Sequence, residues 1–474
     1  MIRLTLEEIA QATQGKLLRT KDALLSIDAI ATDTRNLAEQ ALFVALKGEN
    51  FDAHLFLDNA ISTGAKALLV EQASDHDIAM IVVTDTRLAL GALSAYVRDK
   101  IKGLNCIAIT GSNGKTTCKE LLSAVLREHC QDDSALLATA GNFNNEIGVP
   151  LTLLRLTQNT RFAVLELGAN HPGEINYTAQ LVQPKVALIN NIMAAHLEGF
   201  GSLAGVASSK GEIWRHLQAD GTAVVNLDAD FSQTYLSQLQ AQGQCIFTFS
   251  QTLAQANFFA DAIEFDAHGN ANFILHVKTP ICTGTQSISL KIPGQHNVSN
   301  ALAVASMAVA LGCSLENVAK GLAQLPGVSG RVARIEVNDF LTIIDDTYNA
   351  NSASVKAAIN VLCATSTKQA LILSDMGELG THTELEHQKV GEYAAMQNVP
   401  LLLAVGTHSL HTVEAFNLHC KGQQKAQHFA NKTQLKTFIK EYLDKNEQLT
   451  TMLIKGSRSA KMEEIVAFIT KLKT

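Results

Sequence analysis

Along this chain, apolar strand-like runs alternate with longer stretches in which apolar positions recur at helical spacing, and the runs end in polar turns. In the first hundred residues the pattern predicts helix Leu6–Thr13, strands over 24–31 and 41–46, helix 53–63, strands Ala67–Val70 and 79–84, and helix 87–100. Further on, a strand ending at Thr110 runs into a polar turn and a helix over 118–130. Strand 163–167 feeds the turn Gly168-Ala169-Asn170-His171, and strand 186–192 feeds Ala195-His196-Leu197-Glu198-Gly199 before a helix over 202–217. Such alternation predicts a largely parallel sheet whose ligands gather beyond the carboxyl ends of its strands. A β-rich stretch over 260–292 reads as an antiparallel addition to that sheet.

After Pro326-Gly327-Val328-Ser329-Gly330 the alternation restarts: strand 341–344, helix 354–363, strand 370–373, helix 384–396, strand Leu401–Val405, strand 452–454 and helix 461–472. No G-x-G-x-x-G fingerprint accompanies it, so dinucleotide binding is not expected. With about 150 residues per domain as a guide, 474 residues suggest three domains. The expectation is an α/β protein with a small N-terminal α/β domain (1–102), a central parallel-sheet domain (103–326) and a C-terminal Rossmann-like domain (327–474).

The central turn carries the first candidate chemistry. Gly111-Ser112-Asn113-Gly114-Lys115-Thr116-Thr117 joins a strand to a helix, so helix-start N–H groups can face anionic oxygens, Lys115 can reach the β/γ-phosphates and Thr116 can hold Mg²⁺. The turn is tighter than G-x-x-x-x-G-K-[ST], with Ile109 in the place of the first glycine. Consumption of a nucleoside triphosphate is the expectation, which makes the central domain a P-loop parallel-sheet NTPase domain; ATP as that nucleotide comes only with the resemblance below.

Composition narrows the partners. Hydrophobic content of 47%, 18% charged residues and 7 prolines describe a folded α/β enzyme. A net charge of −7 with no block of like charges argues against nucleic acid as a partner. The start lacks an apolar h-region, and the most apolar stretch, 301–311, is too short to span a bilayer, so a cytoplasmic, non-membrane protein is expected, with monomer as the default state. Eight cysteines without a C-x-x-C pair suggest reduced, mostly buried thiols; Cys118, just beyond the phosphate turn, is the one an electrophile would reach if it were exposed.

Several polar residues stand at strand ends. Glu166 is placed to ligate a metal beside the phosphate turn, or else to cap a helix. His196, in a Gly-rich turn, reads as a ligand or as a structural histidine, and Lys210 as a functional amine or a solvated helix face. Asn297 and Asn300, opening a small-residue helix after Gly294-Gln295-His296, suit the edge of an adenine, the orienting of phosphates, or plain N-capping. Arg331, after the interdomain turn, is either an arginine finger for the γ-phosphate or a hinge residue. Three polar loops, Asp345-Asp346-Thr347-Tyr348-Asn349-Ala350-Asn351-Ser352, Asp375-Met376-Gly377-Glu378-Leu379-Gly380 and Lys455-Gly456-Ser457-Arg458, share one sheet edge of the last domain.

Together these motifs resemble the Mur ligase family of ATP-dependent amide-bond synthetases over essentially the whole chain. Within that family, Thr139-Ala140-Gly141-Asn142-Phe143-Asn144-Asn145-Glu146-Ile147-Gly148-Val149-Pro150 and the 345–351 and 375–380 loops are similar to those of its D-alanyl-D-alanine-adding members. The resemblance implies that Gly111 to Thr117 bind ATP and that Thr116 and Glu166 serve one Mg²⁺. It also implies that His196 and a carbamylated Lys210 serve a second, while Asn297 and Asn300 lie on the adenine side. Asp346 is then the ribose contact and Arg331 the phosphate-binding arginine. It further implies that Asp33-Thr34-Arg35 and Asp52-Ala53-His54, the latter in the turn 47–54, recognise a UDP-sugar, and that Asn142, Asn145, Asn349 and Asn351 bind substrate. Three departures stand out: Thr34 replaces serine, Ala53 replaces glycine, and Ser352 replaces proline.

The implied reaction is ATP-driven: the terminal carboxylate of a UDP-N-acetylmuramoyl-tripeptide attacks the γ-phosphate, and the amine of D-Ala-D-Ala displaces phosphate from the acyl phosphate. Lys115, Lys210, His196 and Arg331 are the expected catalytic residues. The member adding the preceding residue is set aside because its Asp-Asn-Pro-Arg motif is absent. A folate-type polyglutamate ligase is a more distant alternative, and a non-ligating nucleotide-gated scaffold is the alternative from another class.

Overall fold

The computed structural model describes residues 1–48, 51–325, 327–365, 367–445 and 449–472. Glu49 and Asn50 in the turn 47–54, and Pro326 at the expected domain boundary, lie outside the described residues.

The N-terminal lobe is built on a five-stranded sheet in the order Lys16–Leu18, Ala79–Val82, Ala67–Val70, Leu42–Val44, Ile30–Ala31, parallel except at its Lys16–Leu18 edge. The single strand expected over 24–31 is in fact two. Ser26–Ile27 pairs antiparallel with Leu4–Thr5, whereas Ile30–Ala31 pairs with Leu42–Phe43 in the main sheet, so the chain must turn between two different partners. Helix Leu6–Thr13 is fixed at its start by a capping box in which Thr5 and Glu8 satisfy each other's backbone N–H. The helix expected over 53–63 opens as a 3₁₀ turn, Ala53–Phe56, capped by Asp52, before Leu57–Thr63 becomes α-helical.

The central sheet has nine strands in the order Thr283–Pro293, Asn270–Lys278, Phe258–Phe265, Cys245–Ser250, Thr222–Asn226, Val186–Ile189, Asn105–Thr110, Phe162–Glu166, Leu136–Ala138. It is parallel from Leu136–Ala138 to Phe258–Phe265 and antiparallel for the last two strands. Asn105–Thr110 is flanked by Phe162–Glu166 on one side and Val186–Ile189 on the other, so the strand order reverses at its end. A crevice opens at such a switch point. The register puts Glu166 opposite Ile109 and Ile189 opposite Thr110, which brings Glu166, Gly111 and Asn190 level at the carboxyl edge.

The third lobe is a six-stranded sheet, Ala333–Asn338, Leu341–Asp346, Thr450–Lys455, Lys368–Ser374, Leu401–Val405, Lys425–Phe429. Its first pair is antiparallel and the rest are parallel, with a separate apolar core on each face. Among the described residues no helix is long and apolar enough to cross a membrane.

Candidate active site

The phosphate turn is shaped by what surrounds it. Gly111 and Gly114 hold φ of 150° and 78°, and a Cβ at Gly114 would lie 2.5 Å from Asn190 Nδ2 and 2.6 Å from Asn300 Oδ1. Only glycine fits there. The helix Lys115–Cys130 therefore starts at Lys115, three residues before the expected start, with Gly114 as its N-cap.

A chain of neutral amides fixes the turn from below. Asn113 N donates to Asn191 Oδ1 at 2.8 Å, and Asn190 Nδ2 donates both to Asn113 O at 3.0 Å and to Asn300 Oδ1 at 2.9 Å. Asn300 Nδ2 donates to Asn297 Oδ1 at 2.8 Å, and Asn297 Nδ2 to Pro293 O at 2.7 Å. Asn297 and Asn300 thus bind each other and the turn, both buried.

Lys115 Nζ donates to Gly111 O at 2.8 Å. Burial lowers its pKa from the ordinary lysine value, opposed by Glu166 and reinforced by Arg331. Thr116 Oγ1 donates to Glu166 Oε2 at 2.7 Å, while Asn144 Nδ2 donates to Oε1 at 3.0 Å and Glu166 N donates to Thr139 Oγ1 at 3.0 Å. A hydroxyl and a carboxylate oxygen side by side suit Mg²⁺, which takes one or two protein oxygens and completes its shell with phosphate and water. No group of three His, Cys, Asp or Glu side chains able to hold a metal occurs among the described residues.

Lys210 is a deeply buried amine. Its side chain is 1% exposed, and no carboxylate among the described residues pairs with it; the Phe200 ring lies 5.9 Å from Nζ. Burial and then the nearby Lys115 bring its pKa down to about 7, so near neutrality much of it is a free amine. The acid two residues on, Glu212, is turned elsewhere: its carboxylate accepts the N–H groups of Gly173 and Asn176 at the start of helix Glu174–Val182. The chain beyond Gly211 accordingly tightens into a 3₁₀ turn, Glu212–His216, and the helix expected over 202–217 spans only Leu203–Gly211.

The third lobe reaches across to this edge at three points. Arg331 Nη2 donates to Thr116 Oγ1 at 2.8 Å, its guanidinium stacked 4.1 Å above the Tyr348 ring. Asn351 Nδ2 donates to Asn113 Oδ1 at 2.8 Å while its own Oδ1 caps helix Ser352–Cys363. Glu378 Oε2 lies 2.5 Å from His196 Nδ1, and the imidazole holds the Glu378 carboxyl below its ordinary value. Behind them Asp346 pairs with Lys455 at 2.5 Å and accepts Val332 N, although burial still raises its pKa. The result is a cleft of about 650 Å³ between the two lobes, lined by the phosphate turn from Ser112 to Thr117 and by Asn142, Asn145, Glu166, His196, Lys210, Asn297, Asn300, Arg331, Asp346, Asn349 and Asn351.

Known proteins resemble this chain in sequence and fold. The family description "Mur ligase middle domain" matches residues 109–308, and "Mur ligase, glutamate ligase domain" matches 330–458. The chain belongs to the Mur ligase family. It is 43% identical over 468 residues to the UDP-N-acetylmuramoyl-tripeptide--D-alanyl-D-alanine ligase of Escherichia coli, covering 98% of each chain, and 34% identical to that of Bacillus subtilis at the same coverage. A MurF crystal structure from Acinetobacter baumannii superposes with a TM-score of 0.91 at 38% identity, covering 99% of each chain. The MurF ligase of Thermotoga maritima, solved with ADP, shares the fold at a TM-score of 0.80 and 23% identity, covering 94% of this chain and 97% of that one.

In this Mur ligase the residues expected to recognise a UDP-sugar stand apart from the cleft. Arg35 folds back on Asp33, with Nη2 to Oδ2 at 2.6 Å, and brings the Asp33 pKa down to about 2; both side chains face solvent, as part of the Asp33–Thr34–Arg35 turn. His54 is fully used within its lobe, Nδ1 on Asp52 Oδ1 at 2.6 Å and Nε2 accepting Glu71 N at 3.0 Å. Cys118 is fully buried beneath Asn300, and burial raises its thiol pKa far above the ordinary value, so an electrophile does not reach it. Sequence reading passed over Asn190, Asn191 and Asn144 as site builders. Asn190 and Asn191 follow an apolar strand at its carboxyl end, the same signal that singled out Glu166.

Proposed function

We propose that this chain is the ATP-dependent ligase that joins D-alanyl-D-alanine to UDP-N-acetylmuramoyl-tripeptide through an acyl phosphate, a step of peptidoglycan synthesis. The observation that carries the reading is Arg331: a cation from the third lobe donates to Thr116, itself bonded to Glu166, at the mouth of the phosphate turn. An arginine so placed stabilises charge developing on a transferring phosphoryl group. The curated ligases of Escherichia coli and Bacillus subtilis, similar over nearly the whole chain, support the substrate assignment. The ADP complex of the Thermotoga maritima relative supports the nucleotide.

In this reading Lys115 exchanges its carbonyl contacts for the β/γ-phosphates, and Asn297 and Asn300 back the base. Asp346 releases one oxygen to the ribose. Mg²⁺, when bound, disperses the triphosphate charge; Thr116 and Glu166 would hold one ion, His196 and Lys210 the second. The free amine at Lys210 is the form that reacts with CO₂, giving a carbamate and a proton, and the product supplies the anionic oxygens that a lysine lacks. Closure of the third lobe over the cleft keeps water from the acyl phosphate. The domain bounds 1–102, 103–326 and 327–474 are part of the reading, supported by the separate sheets.

The Asp33–Arg35 and Asp52–His54 turns do not line the cleft, which a long substrate accommodates. An extended tripeptide spans about 10 Å, and the sugar and diphosphate lengthen it, so the uridine end can rest on the first lobe while the reacting carboxylate enters the cleft. Asn142, Asn145, Asn349 and Asn351, on the cleft wall, then meet the peptide and the incoming amine. A cytoplasmic setting and roles in cell shape and division belong to the same proposal. Purified protein with ATP and UDP-N-acetylmuramoyl-tripeptide should release ADP when D-Ala-D-Ala is added and not with single amino acids; no dipeptide-dependent ADP release would refute the assignment.

A further inference from the structure

We infer that Glu378 receives the ammonium group of the incoming amine, an inference that rests on the ligase reading above. The incoming amine arrives beside the phosphate turn as an ammonium and gives up a proton, to the carboxylate or to water, before its nitrogen attacks the acyl phosphate; a carboxylate is the side chain that pairs most strongly with an ammonium. Six carboxylates line the cleft: Glu166, Glu174, Asp228, Asp230, Asp346 and Glu378.

Four of them are committed. Glu166 holds Thr116 and Asn144, and Asp346 holds Lys455 and Val332 N. Asp228 accepts from Ser250, Gln251 N and Thr252, and Glu174 accepts Asn170 N and meets His171. Asp230 lies two residues beyond Asp228, whose oxygens bind Gln251, and Gln251 pairs with Gln295 at the start of the Asn297 helix. That puts Asp230 at the nucleobase end of the cleft. Glu378 remains. It comes from the third lobe, its side chain is 55% exposed, and it reaches His196 on the edge where the acyl group would form.

The backbone points the same way. Glu378 and His196 hold φ of 61° and 54°, two non-glycine residues in the left-handed region meeting tip to tip. Such strain persists only where the surroundings impose it. The imposition is visible: Met376 N donates to the buried His387 Nε2 at 3.1 Å, and Asp375 accepts the N–H groups of Thr407, His408 and Ser409. The loop is pinned on the lobe's own side while the Glu378 carboxylate projects into the seam. A full cation is a stronger partner for that carboxylate than an imidazole.

The test is steady-state kinetics of Glu378→Gln and Glu378→Asp, with thermal melting as a check on folding. The KM for D-Ala-D-Ala should rise at least tenfold in Glu378→Gln and less in Glu378→Asp, with the KM values for ATP and the UDP-tripeptide within twofold of wild type. A dipeptide analogue carrying hydroxyl in place of the amino group should inhibit wild type far more weakly than a non-reactive amine analogue does, and that preference should vanish in Glu378→Gln. A dipeptide KM within twofold of wild type would overturn the inference. So would parallel rises in the KM for ATP and for dipeptide, which would make Glu378 a partner of His196 alone. If Glu378→Gln fails to fold, Glu378→Asp carries the same KM comparison. Wild-type protein that ligates no amine would instead refute the ligase reading.

Discussion

The central lobe meets its two neighbours through seams of opposite chemistry. Toward the N-terminal lobe the seam is apolar: one core runs without a break from Ile2 and Leu4 through Leu90, Leu93 and Val97 to Ile175, Leu181 and Val182. Gly91 lets Tyr177 lie so close that a Cβ there would fall 2.1 Å from its hydroxyl, and the buried Arg98 donates to the backbone carbonyls of Gln180 and Leu181. Toward the third lobe the seam is polar, made by Arg331 on Thr116, Asn351 on Asn113 and Glu378 on His196, and the third lobe keeps its cores to itself. Burying apolar area welds two bodies, at about 25 cal/mol per Å². Polar contacts can be exchanged for water or ligand at little net cost. On that contrast the first seam is expected to hold and the second to open.

Substitutions can break this contrast in order of size. Arg331→Ala should lower kcat about 10²- to 10³-fold, the usual cost of losing a preorganised charge on a transferring group, while melting stays within a degree or two. Stopped-turnover ADP assays beside calorimetry would check it. Leu93→Ala, in the apolar seam and fully buried, should do the reverse. A loss of about 2–5 kcal/mol of stability is expected in urea titration, with kcat per folded molecule unchanged within about twofold.

A pH experiment probes the polar seam itself. Burial, helped by Lys455, lowers the His296 pKa to about 4, and burial lowers that of His387 as well. Their unfolded forms bind protons first as pH falls from about 6.5, so stability should fall with pH between about 6.5 and 4. His296→Gln should remove up to about 3 kcal/mol of that loss, read from urea midpoints across that range. The smallest effect is expected from the amide pair. A double-mutant cycle on Asn113→Ala and Asn351→Ala should show a coupling of about 0.5–1.5 kcal/mol in kcat/KM. Additivity would mean that the pair does not help closure.

Much of this was legible in the sequence where a single signal dominated. Helix Leu6–Thr13 and strands Ala67–Val70 and Leu401–Val405 fall where the pattern puts them, because buried runs and a capping box leave no competing reading. Edge strands such as Ala333–Asn338 and Lys425–Phe429 escaped notice: half of each faces solvent, so arginine, glutamate, lysine and histidine interrupt the apolar run. The break in the Lys210 helix was equally hidden, because it depends on Glu212 capping a helix some forty residues earlier. In the site, Lys115, Thr116 and Glu166 announce themselves by position on a strand end. The roles of Asn144 and Asn190 exist only once three strands are aligned in register.

The ladder from Asn113 through Asn190 and Asn300 to Asn297 has a practical outcome. Carboxamides neither gain nor lose protons between the acidity of a starved cell and that of a growing one, so the frame that shapes the phosphate turn is indifferent to such swings. Whatever acidity does to turnover must enter through the side chains mounted on that frame, Lys210 among them, whose pKa burial brings down to about 7.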